Sequence, residues 1–280
     1  MNTRQDIARS SEKQHAVGVS RDRLGVSERA AGFTLVDLLV SISVVAILIG
    51  LLLPSLKSVT ETTRRVICAS NLRQIGLGVA MYADDNAGVL VGSVFIPTTS
   101  TATTFGGRSL DAKPQDTVIV RLGSDEFIKI ARVKTPWDGL GVLYPTEYLP
   151  ASGVFYCPSH HGDYGFRKYK TLWNEPTAEL VSNYQYRGLG PHGERFLFKI
   201  EPQRSALVSD ALRSLPEFNH HVGTNTLRAD LMVEWIADEG AEIQSLLRSA
   251  ASAPDPNQAA AKAMPEVWSA LDGQTRDANR

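Results

Sequence analysis

Hydrophobic and polar positions divide the chain into unlike stretches. Residues 1–32 are polar and arginine-rich, with Arg4, Arg9, Lys13, Arg21, Arg23 and Arg29 set against Asp6, Glu12, Asp22 and Glu28. From Phe33 to Leu53 the pattern turns apolar for 21 residues, and Asp37 is the single charge. At about 1.5 Å per residue this run matches a hydrocarbon core of about 30 Å, so it predicts a transmembrane helix. An ionised carboxylate inside such a span costs on the order of a few kcal/mol unless it is paired. Asp37 therefore needs a partner.

Beyond Pro54 the pattern becomes amphipathic. Leu56, Val59, Val66, Ile67, Leu72, Ile75, Val79 and Tyr82 recur at three-, four- and seven-residue steps. This predicts a helix continuing through 54–88 and ending near residue 84, with Gly88 as its breaker. Helical periodicity is lost over 89–240. Short β-prone runs appear there at Val89–Ile96, Thr117–Leu122, Gly153–Tyr156, Asn183–Arg187, Ser205–Ser209 and Thr226–Ile236. Ser93–Gly107 is rich in Ser, Thr and Gly and reads as a loop. Residues 241–280 read as a partly disordered tail in which AEIQSLLRSAA forms a short helix. The expected class is α+β, with one long N-terminal helix packed on an antiparallel sheet. About 150 residues in 89–240 are enough to bury a core.

The order of features around the apolar run is not that of a secretory signal, in which small residues at the cut site come after a shorter apolar region. Here Ala30, Ala31 and Gly32 precede the run. A cut after Gly32 leaves the span on the mature chain. The segment GFTLVDLLVSISVVAILIGLLLP resembles the type IV prepilin signal, and the likeness to pseudopilins covers residues 30–90 and patches of 150–236. The resemblance implies cleavage between Gly32 and Phe33 by a prepilin peptidase, N-methylation of Phe33, and a pilin-like fold. It also implies a leader on the cytoplasmic side of the inner membrane and a globular domain outside. Charge alone does not orient the span, because Lys57, Arg64, Arg65 and Arg73 lie close beyond it. Family members carry Glu where Asp37 stands. The new α-ammonium at Phe33 and the Asp37 of a neighbouring subunit could pair, each relieving the other's burial. The competing reading is an uncleaved signal anchor.

Further positions resemble a branch of large pseudopilins with a C-terminal H-x9-D-G motif. At the helix exit these are Cys68, Asn71, Leu72, Arg73, Gln74, Ile75, Gly76, Leu77, Tyr82, Asp85, Asn86 and Gly88. GVFYCPSH, Leu207–Asp210 and the run from His220 to Ile236 continue the likeness. His220 and Asp230 have nine residues between them, but Leu231 replaces the motif's glycine. A glycine there would allow a left-handed turn, so leucine predicts a different turn type.

Candidate chemistry adds little to this picture. Cys68 and Cys157 form an even pair, and the compartment implied for the domain permits a disulfide. Two buried thiols are the other reading. His160-His161 and His220-His221, with Cys157, Asp163 and Asp230, match no standard zinc spacing, so no metal or cofactor is assigned. His220 and Asp230 read instead as a hydrogen-bonded pair bracing a hairpin. Asp238, Glu239 and Glu242 are the oxygens available to the calcium site that some pseudopilins carry. The glycine pairs at 139–141 and 188–190 mark turns, and no nucleophile or phosphate-loop motif accompanies them. A formal net charge of −1 and the lack of a basic, aromatic-interleaved cluster argue against nucleic acid.

The sequence thus predicts a non-enzymatic, single-pass subunit of the inner membrane. It would be processed by prepilin peptidase and assembled with other pseudopilins, or with copies of itself, in a type II secretion or type IV pilus-like filament. Two rivals remain: a membrane-tethered binding or surface protein that uses the prepilin signal only for export, and an anchored hydrolase built on His220 and Asp230.

Overall fold

The computed structural model describes residues 33–96, 104–105, 108–109, 113–123, 135–210 and 212–273, without the side chains of 52–58, 104–105 and 108–109. The leader with Gly32, most of the Ser93–Gly107 loop and the final residues 274–280 lie outside them. The chain divides into two compact units, Met1–Leu52 and Leu53–Arg280.

Helix α1 spans Leu35–Asp85. Its start is a capping box. Thr34 Oγ1 accepts from Asp37 N at 3.2 Å, and Asp37 Oδ2 accepts from Thr34 N at 3.1 Å. Reciprocal bonds of this kind satisfy amide groups that a helix N-terminus leaves open. The large apolar side chains from Phe33 to Leu51 are 50–84% exposed, on every side of the helix. No helix is long and apolar enough, among the described residues, to cross a membrane. The described side chains of this apolar part stop at Leu51, whereas the apolar sequence runs on to Leu53.

Within the second unit, α1 buries Cys68, Leu72, Ile75, Val79 and Ala83, a stripe with helical spacing. Val59, Val66 and Ile67, expected on the same face, are exposed instead. At Gly76 the helix meets Leu227 so closely that an added Cβ would lie 2.8 Å from its side chain. The helix ends where Ala87 and Gly88 turn left-handed and Gly88 N donates to Ala83 O at 2.7 Å, a bond that caps an orphan carbonyl.

The strands, in chain order, are β1 (Thr104–Phe105), β2 (Arg108–Ser109), β3 (Ile119–Arg121), β4 (Leu180–Val181), β5 (Tyr184–Tyr186), β6 (Ala206–Asp210), β7 (Gly223–Arg228) and β8 (Val233–Ala237). Strands β5-β6-β7-β8 form one antiparallel sheet in that order. The class is therefore α+β. Two expected strands are absent. Val89–Ile96 makes a single bridge, from Val89 to Phe196, and then turns. Ser152–Phe155 is a 3-10 turn, where carbonyls bond three residues ahead rather than across a ladder. The run Thr226–Ile236 is two strands rather than one.

The turn between those strands explains Leu231. Leu231 N donates to Arg228 O at 3.0 Å, and Arg228 N to Met232 O at 2.8 Å. Leu231 itself sits at φ 68°. The backbone thus keeps the left-handed turn that glycine would favour, against the expectation that leucine changes its type. Every residue of β6 and β7 is buried, so the sheet is covered on both faces. Leu207, Leu227 and Val233 pack into the cluster that includes α1. Ala206 and Ile236 pack into a second cluster with Ile243, Leu247, Met264, Val267, Trp268 and Leu271.

That second cluster extends the reading of 241–280 as a partly disordered tail with one short helix: the expected helix is present, and a second one packs beside it. After a short α2 (Phe166–Tyr169), helices α3 (Glu242–Ala251) and α4 (Pro256–Leu271) close the fold. Asp272 then accepts from Arg187 Nη1 at 2.8 and 2.9 Å and from Ala206 N at 2.9 Å. The alanine-rich composition concealed an apolar stripe at helical spacing.

Replacing Leu231 with glycine should stabilise the domain by about 1 kcal/mol, because it relieves a left-handed non-glycine residue. Urea unfolding would show the midpoint rising, and a fall would mean that the Leu231 side chain is needed for packing. Trp268→Ala should cost about 3–5 kcal/mol in the same assay; a loss under about 1 kcal/mol would mean that α4 is not part of the cooperative core.

Candidate functional site

Helical spacing places Glu61, Arg65 and Cys68 along one face of α1, at steps of four and three. This face meets three other segments. Cys157 comes just after the Ser152–Phe155 turn, Asp210 ends β6, and His220 lies just before β7. Cys68, Cys157, Asp210 and His220 are all buried, and one potential ligand atom from each lies within 4.8 Å of the others.

His220 is the hub. Its Nδ1 lies 2.6 Å from Glu61 Oε1, and its Nε2 lies 3.3 Å from Asp210 Oδ2 and 3.6 Å from Cys157 Sγ. The Trp235 ring packs edge-on against it at 5.6 Å, and the Arg65 guanidinium covers that ring at 4.2 Å. The second carboxylate oxygen of Glu61 accepts from Ser159 Oγ at 2.9 Å. Asp210 Oδ2 accepts from Asn225 N at 2.8 Å and from its side chain at 3.3 Å. Cys68 donates to Asp210 Oδ1 and lies 3.3 Å from the hydroxyl of Tyr184, the register partner of Asp210.

Burial and charge oppose each other here. Burial works against a charged His220, but its hydrogen bonds to Asp210, Cys68 and Glu61 overcome this and hold its pKa well above the usual value. Burial would raise Glu61, yet the bonds from His220 and Ser159 bring its carboxyl below the ordinary range. Burial pushes both thiols upward, Cys68 the further. Both thiols are therefore neutral, and His220 keeps its proton.

The sequence-predicted residues are sorted by this geometry. Cys68 and Cys157 come together as free thiols, not as a disulfide. His220 does not pair with Asp230, whose Oδ1 accepts from Met232 N in the hairpin turn at 2.9 Å. The histidine pairs split by direction. His160 is bonded to Asn219 and Tyr164, while His161 and His221 stack on each other at 5.0 Å. Asp238 caps α3 by accepting from Ile243 N and Gln244 N, both at 3.1 Å, so its oxygens are committed to the helix rather than to calcium. Phe33 and Asp37 belong to the first unit, while Gly32 lies outside the described residues. Glu61 and Asp210 were missed as site residues. The signal for Glu61 was its spacing to Cys68 on one helical face. Asp210 carried none beyond a charge at a strand end.

The approach to His220 runs through the 3-10 turn Leu215–Glu217. Burial pushes the Glu217 carboxyl up to about 7, with Arg213 opposing and Asp116 and Asp163 adding to the rise. Comparison with protein-family models, curated proteins and solved structures finds no match for this chain.

Because the folded-state pKa of Glu217 lies above its free value of 4.5, the fold holds this proton more tightly than the unfolded chain does. Its contribution to stability is full below about pH 4.5 and is lost as pH rises through about 7. Glu217→Gln should flatten that part of the stability–pH curve and stabilise the domain at pH 8. Denaturant titrations at several pH values would show this, and an unchanged slope would exclude Glu217 as its source.

Proposed function

We propose that this chain is a membrane-anchored, pseudopilin-like structural subunit with a pilin-like arrangement of long helix and sheet. The observation that carries the reading is the first part of α1, where large apolar side chains are exposed on every side. A helix that is apolar all round is stable only inside lipid or among other apolar helices. A filament of packed subunits provides the second setting and the inner membrane the first. The sequence GFTLVDLLV, with Gly32 and Phe33 at its cut site, favours processing by a prepilin peptidase. Heterologous contacts that do not close generate filaments of this type, with like or unlike pseudopilins as neighbours.

The capping box refines the role of Asp37. Its carboxylate starts the helix within the first turn after Phe33. The same group lies four residues along the chain from the α-ammonium that cleavage would create. In a packed bundle it can meet a neighbour's ammonium, which would set the axial register between subunits.

Mass spectrometry of the mature chain should find an N-methylated Phe33 start; an intact Met1 in cells with an active peptidase would overturn the proposal. Asp37→Ala should leave the chain in the membrane fraction but abolish cysteine crosslinks between neighbouring spans. Undiminished crosslinking would remove Asp37 from assembly, and a wild-type chain without any would favour an export-only role.

A further inference from the structure

We propose that Cys68, Cys157, Asp210 and His220 bind one zinc ion that ties α1 to the sheet. Two sulfurs, one imidazole nitrogen and one carboxylate oxygen make a tetrahedral zinc donor set. Their ligand atoms already lie within 4.8 Å of one another, and all four residues are buried. Calcium and magnesium take oxygen ligands, so two thiols argue against both. The four donors come from α1, the turn after Phe155, the end of β6 and the approach to β7. Sequence spacing could not reveal the set, since only His220 and Asp210 are near one another in the chain.

The groups around the donors are arranged for the same ion. Glu61 Oε1 lies 2.6 Å from Nδ1 of His220, so when Nε2 gives up its proton to a metal the remaining proton is held on Nδ1 and Nε2 faces Cys157 and Asp210. A carboxylate behind a histidine is the usual outer partner of a zinc ligand, fixing its tautomer and orientation. Ser159 steadies the other oxygen of Glu61. Asn225 holds Asp210 Oδ2, and Oδ1 is turned toward Cys68. Arg65 and Trp235 cover the His220 side. With four protein donors the coordination shell is closed, as in structural zinc sites, whereas catalytic sites keep a position open.

Binding is a ligand exchange without electron transfer. Each thiol loses its proton to solvent as a sulfur–zinc bond forms, and His220 loses its second proton as Nε2 binds. Zinc remains divalent throughout. The site does not depend on the pseudopilin reading, since it needs neither cleavage nor assembly.

The test uses the full chain, purified in detergent without chelator. Elemental analysis should find about one zinc per chain. Exchange with cobalt(II) should give the visible absorption of a tetrahedral site and a thiolate charge-transfer band. Cys157→Ser should weaken that band. If this variant does not fold, Glu61→Gln supplies the reading, because it keeps all four donors and should weaken zinc binding about 10–100-fold. Failure to bind zinc or cobalt, with both cysteines alkylated equally in the presence and absence of excess zinc, would overturn the proposal. So would a Cys68–Cys157 disulfide in the freshly purified chain.

Discussion

His220 sits between Glu61 on α1 and Asp210 at the end of β6, and this buried polar bridge sets where the helix meets the sheet. Apolar packing alone is tolerant of small shifts, because it is non-directional. The bridge is not. A helix displaced by one turn would leave a buried carboxylate or imidazole without its partner, and such a group costs several kcal/mol in the interior. The stripe Cys68, Leu72, Ile75, Val79 supplies the adhesion, and Glu61 with His220 supplies the register.

The rest of the second unit serves that junction. Strands β5 to β8 bring Tyr184, Asp210 and Asn225 alongside one another through their antiparallel register. The C-terminal helices cover the other face, and Asp272 locks them to Arg187 and the start of β6. Because the sheet is buried on both sides, its polar residues must find partners inside the protein. Ser209 does so with Thr224 and Thr226 at 2.8 and 3.2 Å. The first unit obeys a different constraint. Its apolar side chains are exposed among the described residues, so its stability depends on what surrounds it.

The chain's local signals were accurate where structure is local. The extent of α1, its glycine stop and strands β5 and β6 were legible in periodicity and breakers. Errors arose where tertiary contacts override a run's appearance. Val59, Val66 and Ile67 have the right spacing for a core face, yet the side that meets the sheet is built partly from half-buried Glu61 and buried Cys68. Val89–Ile96 has strand composition but has only one bridge to pair with. The alanine-rich segment at 256–271 looked weak because its buried residues, Met264, Val267, Trp268 and Leu271, are confined to its second half, after the alanine run. Leu231 shows the converse, since a strand pairing strong enough to set the hairpin imposes φ 68° on leucine.

By itself the sequence determined the long apolar helix, its charged position Asp37, and the α+β character of the domain beyond it. These depend on near-neighbour periodicity, which a chain carries in full. Only the tertiary structure decided the partners of His220, the free state of Cys68 and Cys157, and the place of Asp210. Those residues come from four segments, and their proximity is created by the burial of α1 on the sheet. No spacing rule encodes such a meeting, because the distances that matter are measured across the core.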